Sequence, residues 1–534
     1  VTADFKGQTS YIGYDGNGYI NSFTDALNHT TTMSREGIIG ALSLLTHPDA
    51  EHSTQGYNYW LSNGGPYFSQ IRGDERTHNT YFTRDGNFQL TRIDYPDYPN
   101  GAYETFAYNG FGQVYSHRMT SGGVETRYFD GRGVMWASNN PDGTTYYYYD
   151  GLDRLEHVTD PRSKTTWFQY NTRGQVTRVT HTDSSCLQYG YNVDGTLAWA
   201  ADENHPGAAT DANQRTRYAY DNYKRVVSVT NPLNQTTSFV YAQDWSNAYN
   251  QTTTNLKGAF SPMGKQVHYA YDENWRRTIM RVPPISDPHS DTNDAWTYYA
   301  YDQVGNLYWT QNPRSYATNF GYDERNRRIW MDDPIASDRN STGHTTNWQY
   351  DTTTNLVRET RADNSYRTAD YDSMNRVIDT HGFAGEHTHY GRDLAGNITQ
   401  MIDAKTASYS FGYDQRNRKT SATYPADALG VARTETWRYD AAGNMDLYKN
   451  PAGVYRHVFY DDRNRMYEAW WDSGAAPEVV VGYDFTSRVT SVVTNNAGTT
   501  QTTVSFGYDA ANRQILEDQT LSALSDAARK HTAG

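Results

Sequence analysis

Short runs of Tyr, Thr, Val, Trp and Phe alternate with clusters of Asp, Asn, Gly and Pro along nearly the whole chain. Thr144-Thr145-Tyr146-Tyr147-Tyr148-Tyr149 is one such run. Asp150-Gly151-Leu152-Asp153 interrupts it, Arg154-Leu155-Glu156-His157-Val158-Thr159 resumes it, and Asp160-Pro161 stops it again. β-Branched and aromatic residues suit a pleated, half-buried surface. Each intervening cluster is a turn signal. The pattern predicts strand, turn, strand, turn: a hairpin with a return.

The same frame recurs. A Tyr-Asp pair, a short turn and an Arg or Asn follow one another at Tyr301-Asp302, Tyr322-Asp323, Tyr371-Asp372, Tyr413-Asp414, Tyr439-Asp440, Tyr460-Asp461, Tyr483-Asp484 and Tyr508-Asp509. Asp302 to Asp323, Asp351 to Asp372, Asp372 to Asp393 and Asp393 to Asp414 are each 21 residues apart. Longer spacings carry insertions. Chance does not produce such a lattice, and a fixed period marks a stacked repeat array. The first turn of each unit carries Gly-Asn, as at Gly305-Asn306, or Asn-Arg, as at Asn326-Arg327, residues that tolerate the positive φ of hairpin turns. The second turn often starts at Asp-Pro or Asn-Pro, as at Asn231-Pro232, Asn312-Pro313 and Asn450-Pro451. The Asp is expected to accept N–H bonds in its own turn and to face the Arg four residues on. The Tyr rings are expected to form an offset-stacked column with their hydroxyls at a wet edge.

The fold class is therefore all-β: tandem hairpins of about 21 residues forming a long spiralling sheet, hollow shell or barrel-like. Three regions are expected: divergent cap repeats over 1–80, the array over 81–516 and a tail over 517–534. The apolar patch at 38–45 reads as a helix turn or a buried strand. Insertions fall between Ala198 and Arg215, Gln243 and Lys265, Pro283 and Asp294, and Asp332 and His344, with a shorter one between Ala426 and Arg433. They should project from a rim of the sheet, where binding tends to sit.

Composition narrows the partners. Tyr numbers 47 against 17 Phe, which is not a disordered composition. Lys and Arg number 47 against 61 Asp and Glu, a net charge of −14, which argues against nucleic acid. The longest apolar run, around Ile38 to Leu45, is far short of a membrane span, and no signal segment opens the chain. A start at Val1 rather than Met suggests processing or a piece of something longer. The single Cys186 excludes an internal disulfide.

Two clusters carry candidate chemistry. His47, Asp49, Glu51 and His52 group two imidazoles with two carboxylates, and His381, His387 and His389 lie near Glu386 and Asp393. His387 and His389 share a strand face and could ligate zinc with His381. The plainer reading, polar surface loops, outweighs both, so no metal is assigned. No nucleophile elbow, P-loop or dinucleotide fingerprint is present and no cofactor is expected. Cys186 reads as a strand residue. Trp167, Trp245, Trp330, Trp348, Trp437, Trp470 and Trp471 read mostly as packing, though the set could stack on sugars.

The Tyr-Asp pairs with their Gly-Asn-Leu or Asn-Arg followers, over roughly 81–516, resemble the YD-repeat, or RHS-repeat, family. The family includes shell components of bacterial insecticidal toxin complexes, RHS effectors carrying C-terminal toxins, and teneurins. The resemblance implies a β-shell, secreted or at the cell surface, that encapsulates or presents a toxin or other polypeptide outside the cell or during export. The Asp-Pro-x-Gly segment that closes such shells is missing, and the tail after Asp509 is too short for a toxin domain. A shell fragment or a short stand-alone member is expected. The alternative is a secreted carbohydrate-active protein, a glycan-binding adhesin or a polysaccharide lyase, using aromatic, His and Arg residues. The partners expected are thus an encapsulated polypeptide or a cell-surface glycan.

Overall fold

The computed structural model describes residues 2–3, 9–36, 41–48, 54–62, 65–72, 79–95, 101–241, 255–284, 294–333, 344–472, 478–496 and 499–521. They form 45 strands and a single 3-10 turn, Ala212–Gln214, with no α-helix among them. Pairing is antiparallel throughout and follows chain order. Gly143–Tyr149 pairs with Leu155–Thr159, which pairs with Thr165–Tyr170, which pairs with Val176–Thr180. The chain divides into two compact units, 1–106 with 239–408 and 107–238 with 409–534. The first described strand, Thr2–Ala3, pairs with the strand at Thr9–Tyr14, and the last, Gln514–Leu521, with Thr499–Tyr508. The strip is therefore long and antiparallel, and it does not close by pairing its first strand with its last. The patch at 38–45 is resolved in favour of a strand, Leu42–Thr46, half-buried along its length; residues 37–40 and the tail from 522 lie outside the described residues.

Each first turn is built alike. The Asp150 N–H donates to Arg154 O at 2.9 Å and Asp153 N–H to Asp150 O at 3.0 Å. The fourth residue is left-handed: φ is 57° at Asp153, 61° at Asn326 and 104° at Gly305. A β-turn followed by a left-handed residue forces a one-residue bulge into the hairpin. The register accordingly shifts at Tyr148/Tyr149, Gln169/Tyr170 and Gly321/Tyr322. The repeat's Tyr is thus the residue opposite the bulge, a feature the spacing alone does not disclose. The second turns obey the same geometry: Asp160 Oδ1 accepts from the Arg162 and Lys164 N–H groups, and Ser163 is left-handed at 63°.

The two faces of the strip differ. Along Gly143–Tyr149, Tyr146 and Tyr148 are exposed while Tyr147 and Tyr149 are half-buried. Most strand residues are only half-buried. The fully buried apolar residues among those described are small: Ala102, Ala137, Cys186, Ala201, Ala208, Ala422, Val458, Ala469 and Val481. No large aromatic is among them, so the described sheet has no dry core of the kind that two packed layers make. Cys186 sits in the strand Cys186–Tyr191, as its sequence context suggests.

Candidate functional site

The repeat's signature residues interlock from one hairpin to the next. Asp150 Oδ1 accepts from the Leu152 and Arg154 N–H groups at 2.9 and 3.0 Å, while Oδ2 accepts from Arg154 Nε at 2.7 Å. The Arg154 bonds, to guanidinium and to backbone N–H, hold the Asp150 carboxyl below the usual carboxylate range. Arg154 then reaches on to Asn171 O at 3.2 Å and lays its guanidinium over the Tyr170 ring, 4.7 Å from the centroid. The Tyr170 hydroxyl donates back to Leu155 O at 2.8 Å. The guanidinium-over-ring contact recurs at Arg327 over Tyr350, Arg418 over Tyr439, Arg465 over Tyr483 and Arg488 over Tyr508. This corrects the expected Tyr column. Arg side chains intervene between successive rings, and the hydroxyls are bonded to backbone carbonyls rather than left at a wet edge.

In the second unit, hairpins far apart in sequence meet edge to edge along a polar seam. Second-turn tips of 107–238 face first-turn tips of 409–534. Asp142, almost fully buried, accepts from Arg418 at 2.7 and 3.0 Å and pairs with Arg416. Arg162 donates to Tyr460 O at 3.2 Å and bonds Asn464, and Lys164 pairs with Asp462. Arg463 donates to Glu203 Oε1 at 2.7 Å, with His181 Nε2 at 3.4 Å on the same oxygen. Asn204 donates to Asp484 Oδ2 at 3.0 Å and accepts from the Phe485 N–H at 3.1 Å. Asn512 reaches Asp202 at 2.7 Å, and the other oxygen of Asp202 lies 2.6 Å from His205 Nδ1. Burial pushes the Asp183 carboxyl up, but the Ser185 hydroxyl and N–H, with Arg463 and Arg465 nearby, outweigh it and leave it below its ordinary value. Sequence reasoning missed these residues, apart from flagging the 198–215 insertion that supplies Asp202, Glu203 and Asn204.

The two sequence clusters fare differently. Asp49, Glu51 and His52 lie outside the described residues. His47 lines a groove of about 740 Å³ in the first unit with Asp25, His29, Glu324, Arg325 and Arg327. His387 Nε2 and His389 Nδ1 both bond Asp379 Oδ1, at 2.7 and 3.0 Å, and the His381 and His387 rings are parallel, 4.4 Å apart. The shared strand face is as expected. The other proposed neighbours are engaged elsewhere: Asp393 accepts from the Asn397 N–H and amide of its own turn, and Glu386 from the Ala384 N–H. No group of three or more such side chains is arranged to hold a metal among the described residues. Asp379, which the sequence reading passed over, is what satisfies the His387 and His389 imidazoles.

A second surface is aromatic. On the more exposed face of the second unit, Tyr128 and Trp136 lie 5.5 Å apart, and Trp136 and Tyr146 6.4 Å apart. Tyr148, His157 and Trp167 stack in sequence at 4.1 and 3.9 Å. His457, Phe459 and Trp470 make a similar group. Cross-strand neighbours explain these contacts. Trp330 lies across Gly321, where a Cβ would fall 1.8 Å from its Nε1. Trp245 lies outside the described residues.

No family model matches the chain, and no curated protein does. Among solved structures it is similar to a TcdB2–TccC3 crystal structure, at 12% identity and a TM-score of 0.48, covering 99% of this chain and 36% of the other. It is also similar to a mutant Photorhabdus luminescens Tc holotoxin pore, at 11% identity and a TM-score of 0.47, covering 95% and 33%. The chain spans about a third of the length of these proteins. The all-β fold rests on the strand register itself. No helix among the described residues is long and apolar enough to cross a membrane.

Proposed function

We propose that the chain is wall material for a β-shell that encloses or presents another polypeptide, outside the cell or during export. The observation that carries this reading is the seam: a strip of hairpins that joins its own edges, Arg463 on Glu203 and Arg418 on Asp142, across more than 250 residues of sequence. A strip that seals edge to edge makes a continuous barrier. A sheet without a dry core leaves its half-buried aromatic face available to a guest chain. The repeat family that the Tyr-Asp units resemble supports the same reading. The work is steric and electrostatic, and no residue is given a catalytic role.

The test is to isolate the protein from its source and look for a co-purifying polypeptide by denaturing mass spectrometry. A second chain that resists protease in the complex and is digested once released is the expected result. Protein that carries no polypeptide, and leaves an added unfolded one fully digestible, would overturn the shell.

A carbohydrate-binding role has one observation in its favour, the exposed row from Tyr128 to Trp167. Against it, Tyr148, His157 and Trp167 cover one another's ring faces, leaving a sugar little to stack on. A polysaccharide panel, read for binding and for new unsaturated ends, separates the two readings.

A further inference from the structure

We propose that the seam of the second unit is a latch, a side opening that parts while the strand ladders on either side of it stay intact. The seam is a property of the unit itself; only the idea that a guest polypeptide passes through it rests on the shell reading above.

Two kinds of bond hold the unit together. Within each run of hairpins, neighbouring strands share backbone ladders, as Tyr455–Tyr460 does with Met466–Trp471 and Val176–Thr180 with Cys186–Tyr191. Across the seam the bonds come from side chains and turn tips: Asp142 with Arg416 and Arg418, Arg162 with Asn464 and Tyr460 O, Glu203 with Arg463, Asn204 with Asp484 and Phe485. Backbone ladders respond weakly to salt. Ion pairs that reach solvent, as Lys164 with Asp462 does, are screened by it, with a Debye length falling from about 10 Å at 0.1 M to about 3 Å at 1 M, whereas Asp142 and the Glu203–Arg463 pair are more buried and screened less. The seam is therefore the weaker joint at high ionic strength, and local opening follows the weakest joint.

Glu203 and Arg463 form the clasp. Both are largely buried, and Arg463 also reaches Ser185 and lies 3.8 Å from Asp183. On the other side His181 faces the same Glu203 oxygen, and Asp202, His205 and Asn512 continue the polar row. Taking away one partner strands a buried charge, which opposes closure more than losing the pair outright. Arg463 also bonds Phe485 O on its own side of the seam, so the pair is best broken from the Glu203 side.

The Phe485 N–H is a direct reporter, because its acceptor, Asn204 Oδ1, lies across the seam. Hydrogen exchange on the intact protein should show this amide speeding at least tenfold between 0.05 and 1 M NaCl. Amides of the ladders at Tyr455–Tyr460 and Cys186–Tyr191 should not change. Glu203→Ala, made on the far side of the seam from the reporter, should speed the same amide at low salt and leave the strand amides unchanged. Exchange at Phe485 that is indifferent to salt would overturn the latch. So would exchange that rises only together with the strand amides, or a Glu203→Ala variant in which the amide stays as slow as before. If the variant fails to fold, the salt series on the unaltered protein decides alone. The cargo test reads no seam amide, so a rigid seam would leave the shell reading standing and a missing cargo would leave the latch standing.

Discussion

At the scale of single residues, the Tyr-Asp pair works through the backbone of its neighbours. The Tyr371 hydroxyl donates to Leu356 O at 2.9 Å, one hairpin back. Tyr371→Phe should lower stability by about 1 kcal/mol, the net worth of a typical hydrogen bond, with the sheet's circular dichroism unchanged. Asp372 accepts from the Met374 and Arg376 N–H groups at 2.9 Å and from Arg376 Nε at 2.7 Å. Asp372→Ala removes all three at once and should be the more damaging change, by about 2–3 kcal/mol in a denaturant titration. If the order were reversed, with the Tyr hydroxyl mattering more than the Asp carboxylate, the turn would not be the repeat's anchor.

At the scale of the hairpin, the fourth turn residue sets the geometry. Gly396 sits at φ 93°, where a side chain is strained, although a Cβ there would make only ordinary contact with Arg376, 3.4 Å from its guanidinium. Gly396→Ala should cost about 1 kcal/mol. Thr406 holds the same left-handed conformation at 62°, where a β-branched residue is strained. Thr406→Gly should therefore stabilise, by about 0.5–1 kcal/mol, the relief of strain exceeding the extra freedom of the unfolded chain. Thermal melts of the two variants, moving in opposite directions, check that the turn rather than the side-chain contact is responsible.

At the scale of the molecule, carboxylates held below their ordinary values set the response to acid. For Asp414 and Asp484, burial pushes the carboxyl up, but bonds from Arg418 and Arg416 in one and from Asn204 and Arg488 in the other bring it down overall. A folded-state value below the unfolded one means the stabilisation is fully present above the unfolded value, near 4, and disappears as pH falls through the folded one. The contribution of these carboxylates to the melting temperature should therefore be level from about pH 8 to 5 and be lost below about pH 4. A fall between pH 7 and 6 would instead point to the histidines.

Much of this was legible in the sequence because it is local. The 21-residue period, the strand–turn–strand grammar, the left-handed Gly or Asn and the Asp–Arg pair all act within one hairpin, over four to ten residues of chain. Sequence therefore determined the all-β class, the antiparallel order and the unit that is repeated. The bulge at each Tyr and the Arg between successive Tyr rings needed the register, because they depend on which residue lies opposite which. His381, His387 and His389 were seen as a set, but the carboxylate between them, Asp379, became visible only when the two strands were paired. The seam was beyond reach of any local pattern. Glu203 and Arg463 are separated by 260 residues, and which turn tip meets which depends on how the two runs of the second unit pack together. The tertiary structure decided that pairing, because the two turn tips belong to separate runs of hairpins and neither carries a local signal for its partner.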